Sequence, residues 1–336
     1  MSAATPSSKE VQLTIHDGRP RRGRGHGPGE TAARNRIGSL RRDAIAPSLL
    51  AMGEDAPIHV PLPGPLREAR FIERPNRFLL RCSLSAGGGN TRASAAHAGV
   101  RENGPSLADR IVEVHLADPG RLRELLIPGK RVWIRHAASP GRKTDWSAVL
   151  VESPDGRSLV SLDTTLPNRL ILRALQARAL AELDAWSLER AEFPLGASRI
   201  DFLLTRGSDD SGAEHAAGDG DRSAAENPLP PRKLALEVKS VTLVQDGVAL
   251  FPDAVTARGA RHVRELAETA RREGWEAAIL FVLQRNDAHR IEAARTIDPD
   301  FADALAEARG AGVRVLGRRC RVRPDRLELG EAVPAD

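Results

Sequence analysis

The sequence predicts a mixed α/β protein of two folded domains, a small β-barrel followed by an α/β sheet domain. Three observations carry this. The chain has 336 residues, enough for two cores at about 100 to 200 residues per domain. From Leu66 to about residue 152 the apolar residues come in short alternating runs separated by turn signals. After Thr165 a helical period sets in, and helices and strands then follow one another to the C-terminus.

Residues 1–64 are rich in Gly, Pro, Ser and Arg, lack a sustained apolar period, and are expected to be a disordered leader. Its Arg-rich stretch, 19–42, reads either as a nucleic-acid arm or as a solvated tail. The barrel is expected over 65–150, with strands at 71–82, 110–116, 130–136 and 147–152 and turns at Asp118-Pro119-Gly120 and Pro128-Gly129. That spacing fits the OB type. The Gly/Ala/Ser-rich stretch 83–109 is an inserted surface loop.

The sheet domain is expected over 151–330. Leu170, Ile171, Ala174, Leu175 and Leu183 after Pro167 predict a helix reaching about residue 183. Strands follow at 187–193, 199–205 and 233–244, then a helix over 256–273 that stops at Gly274, and a buried strand at 277–283. A helix opening at Asp298-Pro299 and a strand at 313–316 complete an α-β-β-β-α-β-α-β order. Residues 206–232, poor in apolar side chains and carrying six acids, are expected to be a disordered hairpin extension.

Composition narrows the function classes. Two cysteines, Cys82 and Cys320, are too few for a disulfide framework, and no Cys/His cluster has zinc-site spacing. No apolar run approaches the roughly 18 residues of a membrane span, and there is no secretory h-region, so a cytoplasmic protein is expected. The net charge is +5, unevenly placed: residues 65–150 hold fifteen Lys/Arg against eight Asp/Glu, and residues 151–336 hold twenty-six against thirty-one. A polyanion is attracted to the barrel and needs a local reason to approach the sheet domain.

That local reason lies in two strands. In Arg199-Ile200-Asp201-Phe202-Leu203-Leu204, alternation puts Ile200, Phe202 and Leu204 on one face and Asp201 on the other. In Leu234-Ala235-Leu236-Glu237-Val238-Lys239, Leu234, Leu236 and Val238 turn inward and Glu237 and Lys239 share the opposite side. Two carboxylates and an amine can therefore converge on one sheet face, as expected of a nuclease site of the PD-(D/E)xK type. Asp201, Glu237 and the Val238 carbonyl are the expected ligands of Mg2+ or Mn2+, and Lys239 is expected to orient water or offset transition-state charge. Glu192 is a further candidate acid, acting through water. A structural ion-pair network is the alternative, since Glu-x-Lys is common in strands. Pro252-Asp253, which follows the Glu-x-Lys strand, reads as a turn before a helix.

Several stretches together resemble the sugar fermentation stimulation protein A family: Arg77-Phe78-Leu79, Asp118-Pro119-Gly120-Arg121-Leu122, Arg142-Lys143-Thr144, Leu166-Pro167-Asn168-Arg169-Leu170, Ser198-Arg199-Ile200-Asp201-Phe202, Glu237-Val238-Lys239-Ser240-Val241-Thr242, and the run from Phe251-Pro252-Asp253 to Ala257-Arg258-Gly259. The likeness runs from about Leu66 to the C-terminus. It implies a bacterial cytoplasmic DNA-binding protein with an N-terminal OB-like domain and a C-terminal restriction-endonuclease-like PD-(D/E)xK domain. By position, the family's acids and lysine fall on Glu192, Asp201, Glu237 and Lys239. The leader and the two insertions depart from the pattern without touching these residues.

His262 and Glu265 lie three apart on one helix face and are candidates for a supporting shell around the metal, with a plain structural role as the alternative for His262. Arg74, Arg77, Phe78, Arg121, Arg142 and Lys143, with Trp133 and Trp146, are candidates for phosphate contact and base stacking, although aromatics so few are also needed in cores. The expected function is a metal-dependent nuclease acting on DNA or RNA. The alternative is a non-catalytic DNA-binding regulator of sugar (maltose) utilisation genes.

Overall fold

The computed structural model describes residues 57–84, 110–196, 198–207 and 232–336. The first strand, β1 (His59–Pro61), lies inside the expected leader and pairs in the second domain's sheet, so folded structure reaches into the segment that composition assigned to the leader. Residues 1–56 of the expected leader and most of both expected insertions fall outside the described residues.

The barrel is built from β2 (Leu66–Asn76), β3 (Leu79–Leu84), β4 (Ile111–His115), β5 (Arg131–His136) and β6 (Trp146–Glu152), in the order β4-β3-β2-β5-β6. Parallel pairing of Val114 with Trp146 and His115 with Ser147 closes it into the expected five-stranded OB-type barrel. The run expected as one strand over 71–82 is a hairpin: Asn76 Oδ1 accepts from the Phe78 N–H at 2.9 Å and turns the chain. Inward residues Ala69, Phe71, Leu80, Cys82, Val114, Val132 and Ile134 fill the interior. A short β7 (Leu159–Ser161) pairs with β6 beyond the expected boundary at 150.

The second domain continues with α1 (Leu166–Gln176), β8 (Ser187–Leu195), β9 (Ser198–Arg206), β10 (Arg232–Val241), β11 (Val244–Gln245), β12 (Val248–Phe251), α2 (Ala257–Ala270), β13 (Trp275–Leu283), β14 (Arg290–Ala293), α3 (Pro299–Gly310), β15 (Arg314–Val322) and β16 (Arg326–Val333). α1 is shorter than expected. The chain leaves it at Arg178, which sits at φ +52°, and Leu183 is buried from a separate 3-10 turn. β11, β12, β14 and β16 were not foreseen, being short or half-exposed strands without a continuous apolar face.

Seven strands form the main sheet in the order β1-β16-β15-β13-β10-β9-β8, and β11, β12 and β14 form a small second one. β13 runs parallel to both β10 and β15 and is buried on both faces, which explains its unbroken run Ala277-Ala278-Ile279-Leu280-Phe281-Val282-Leu283. α1 packs on one face with Leu170, Ile171 and Ala174 against Leu234, Leu236 and Leu280. α2 and α3 cover the other, with Val263, Leu266, Phe301 and Leu305 against Ala235, Ile279 and Phe281. Asp298 joins the two helix starts: its Oδ1 accepts from the Phe301 N–H at 3.1 Å and its Oδ2 from the Thr256 N–H at 2.7 Å.

The barrel meets the sheet domain along a seam. The Ser161 N–H donates to the Gln284 carbonyl at 3.1 Å. The Asp118-Pro119-Gly120 turn closes on itself, Gly120 N–H donating to Asp118 Oδ1 at 2.8 Å, and presses against Asp253. A Cβ at Gly120 would lie 2.1 Å from Asp253 Oδ2, so any larger residue would force the Asp253 carboxylate to move. Gly120→Ala is expected to destabilise the protein by about 1–3 kcal/mol through overpacking. Adding Asp253→Ala should recover part of that loss in a double-mutant cycle followed by urea denaturation; strict additivity would show that the two residues do not oppose each other.

Candidate metal and nucleic-acid site

The antiparallel ladder between β9 and β10 ends at Phe202 opposite Leu236. Beyond it the strands part, and the next polar contact is made by a side chain: the Val238 N–H donates to Asp201 Oδ2 at 2.7 Å. Asn168 Nδ2, one turn into α1, donates to Asp201 Oδ1 at 2.6 Å. Simple alternation fails here. Phe202 and Leu204 pack on the α1 side as expected, but Ile200 joins the core under α2 and α3, because β9 turns where it leaves β10. Asp201 is therefore held from the α1 side, at the mouth of the gap.

Glu237 arrives from the other side. Its neighbour in space is His262, on α2, whose Nδ1 lies 2.8 Å from Glu237 Oε1. Arg258 Nε donates to His262 Nε2 at 3.3 Å, and since a guanidinium only donates, the imidazole proton sits on Nδ1 and points at Glu237. Lys239 Nζ donates to the same Oε1 at 2.7 Å. Glu237 Oε2 is buried and has no partner.

The electrostatics follow from this placement. Burial, and then the nearby charge of Glu237, push the Asp201 carboxyl up to about 6. Burial also opposes ionisation of Glu237, but the hydrogen bond from His262 and the charge of Lys239 outweigh it and hold that carboxyl below the usual range. Two buried carboxylates share one small space, one oxygen of the pair is unsatisfied, and a cation is what such an arrangement lacks. Among the described residues no set of three Asp, Glu, His or Cys side chains is arranged to hold a metal ion. A hard divalent cation that binds through one or two carboxylates and completes its shell with water and phosphate fits Asp201 and Glu237.

Not every expected site residue joins them. Glu192 lies on β8 at φ +53°, is 71% exposed at its side chain, and pairs with Arg199 at 3.2 Å rather than facing the acidic pair. The positive φ turns it away from the position its register would give. Glu265 sits 3.8 Å from Arg261 and lines a groove with Leu195 and Gly196, and only His262 of that helical pair reaches Glu237. Asn168 and Arg258 were missed as site residues. Both lie in stretches whose family likeness was visible, but nothing in their local pattern points to Asp201 or to His262.

The expected nucleic-acid residues gather at one end of the barrel. Arg74 is turned inward: its guanidinium donates to the carbonyls of Arg121 at 2.6 Å and Arg77 at 2.8 Å, and burial lowers its pKa. It fastens two loops instead of offering itself to phosphate. Arg77, Arg121, Arg142 and Lys143 are exposed, and the Arg77 guanidinium stands 5.4 Å over the ring of Phe78, which is 47% exposed. The Leu116 N–H donates to the Phe78 carbonyl at 2.9 Å, and His115 beside it has its pKa lowered by burial and by the charge of Arg142, so these groups are near neighbours. Trp133 and Trp146 are half-buried against the cores, the former beneath Arg131 and the latter edge-on to His136.

Comparison with known proteins gives the same two-part division. Residues 72–162 match the family model of the SfsA N-terminal OB domain, and residues 165–326 that of the sugar fermentation stimulation protein RE domain. Sugar fermentation stimulation protein homologs from Shouchella clausii and Moorella thermoacetica are 37% and 40% identical over 270 and 271 residues. Each alignment covers 80% of this chain, and 97% and 96% of the respective relative. The homolog from Chloroflexus aurantiacus is 39% identical over 281 residues, 83% of this chain and 90% of its own. The solved structure of Pyrococcus furiosus SfsA in complex with Ca2+ superposes with a TM-score of 0.61 at 23% identity, covering 82% of this chain and 97% of that one. The barrel, the sheet that follows it and these alignments together place the chain in the sugar fermentation stimulation protein family.

Proposed function

We propose that the protein is a metal-dependent phosphodiesterase that hydrolyses DNA or RNA at the Asp201–Glu237–Lys239 site. The observation that carries this reading is the unpartnered, buried Glu237 Oε2 beside the raised carboxyl of Asp201. A buried carboxylate oxygen without a partner is costly, and a bound cation would satisfy it. The Ca2+ in the Pyrococcus furiosus relative supports a divalent ion in this family, and Mg2+ or Mn2+ is the working ion proposed here.

Asp201 and Glu237 would hold the ion, with the Val238 carbonyl as a further oxygen. When bound, it would supply the positive charge that polarises a phosphoryl group and acidifies a water. The protein's own groups do the rest. Val238 N–H and Asn168 fix the Asp201 carboxylate, and His262 fixes Glu237 so that Oε2 stays directed away from the imidazole. Lys239, with three rotatable donors, can keep one on Glu237 Oε1 and turn another to a water or a phosphoryl oxygen. DNA would be gathered by Arg77, Arg121, Arg142 and Lys143 on the barrel. The displacement of Glu192 favours the rival reading, a DNA-binding regulator with a vestigial site, and activity decides between them.

Asp201→Ala and Glu237→Ala are each expected to abolish cleavage in Mg2+ or Mn2+ while keeping DNA affinity within about twofold, because binding rests mainly on barrel phosphate contacts. Lys239→Ala should suppress cleavage with metal affinity, read by calorimetry, much less changed; Lys239→Arg should rescue poorly, because a guanidinium does not reproduce a compact ammonium. Cleavage by the wild type that persists in EDTA would remove support for the metal site. Affinity for DNA should fall steeply with salt, and Arg142→Ala should lower the slope by about one phosphate contact. An unchanged slope would take Arg142 out of the interface.

A further inference from the structure

A cavity of about 360 Å³ lies in the seam between the barrel and the sheet domain. It begins at Ser240, the residue after Lys239, and continues along Thr242 at the end of β10. Thr164 and Thr256, which lead into α1 and α2, line it as well. Those two helices carry Asn168 and His262, the residues that fix Asp201 and Glu237. The cavity therefore opens at the same end of the sheet as the acidic pair.

Its size is that of a site for one small ligand. A duplex, whose major groove alone is about 12 Å wide, does not enter such a space. Its chemistry is that of a nucleotide site. The barrel side supplies Arg77, a cation for a phosphate. Ser240 adds a hydroxyl to the lining, its Oγ 2.8 Å from Gln284 Nε2. Gln284 is fully buried, and Ser240 is its side-chain partner. Val255, 67% exposed, lines the cavity, and the lining residue Arg77 lies 5.4 Å over the exposed ring of Phe78, an aromatic surface of the kind on which bases stack. Asp118 and Asp253 form the remaining wall. They repel phosphate and accept hydrogen bonds, so they suit the N–H edge of a base and set its direction.

We propose that this cleft takes one unpaired nucleotide of a DNA strand next to the scissile phosphate, so that the substrate is single-stranded where it is cut. This rests on the nuclease reading for its link to cleavage, but the binding it describes can be measured separately. Fluorescence anisotropy of the full chain in EDTA, with a dye-labelled 12-nucleotide single strand and the duplex of the same sequence, provides the test. The single strand is expected to bind about tenfold tighter, the order of one stacked base. Ala254→Trp, which fills the cleft, should remove that advantage and leave duplex affinity unchanged. Ala254→Leu, a smaller plug checked for a wild-type melting temperature, serves if the tryptophan variant does not fold. Equal affinity of the wild type for the two substrates, or a folded plugged variant that keeps its preference, overturns the proposal. A protein that cleaves nothing in any metal would end the nuclease reading and leave the binding result to stand on its own.

Discussion

The site depends on one constraint, that a backbone N–H taken out of a ladder must still be paired. Where β9 leaves β10, the Val238 amide finds its partner in the Asp201 carboxylate instead of a neighbouring strand. The carboxylate thereby becomes part of the sheet's own hydrogen bonding, and the gap between the strands is fixed in width by a charge-assisted bond. Asn168 supplies a second donor from α1, so neither Asp201 oxygen is free to rotate away. Opposite it, His262 and Lys239 converge on one oxygen of Glu237 and leave the other open. Each acid is immobilised by a different helix, and the two meet only because the sheet opens between them.

Such an arrangement gives up stability. Two carboxylates are buried near each other, and burial raises one of them to about 6. Residues that disfavour the folded state in this way are the mark of a site shaped for a ligand more than for the fold. Arg285 in the same domain is matched throughout: 2% exposed, it has both its Nε and one terminal nitrogen on Asp287 at 2.6 Å and the other on the Thr242 carbonyl at 2.8 Å. What sets the open oxygen of Glu237 apart is its company, a second buried carboxyl and the Lys239 amine.

The barrel and the sheet domain divide the electrostatics between them. Arg77 lines the seam on the barrel side beside the Asp118-Pro119-Gly120 turn, while the sheet side supplies Asp253 and, back along β10, Glu237. Arg74 lends its charge to loop carbonyls and so keeps Arg77 and Arg121 together on the surface. Gly120 lets the barrel turn press directly on Asp253, which sets how closely the basic end approaches the β10 edge. The Asp118-Pro119-Gly120 and Pro252-Asp253 segments, each a mere turn by local pattern, thus form the two sides of one contact.

By itself the sequence determined what depends on periodicity and local chemistry. The barrel alternation, the buried β13, the Asp298-Pro299 start of α3, and Glu237 and Lys239 on one side of β10 all follow from neighbours within a few residues. Asp201 stood out for the same reason, as an acid in an apolar strand. Only the tertiary structure decided the rest. A two-residue period cannot show where a strand leaves its partner, so the side taken by Ile200 was misread. Glu192 is carried away by a positive φ that no composition announces, and β16 is ordered by pairing with β1 and β15. Asn168 and Arg258 act across 33 residues to Asp201 and one helical turn to His262. Sequence pattern sees the helical turn only as spacing, and the partners of a hydrogen bond are chosen by packing, which brings together residues that have no local reason to be paired.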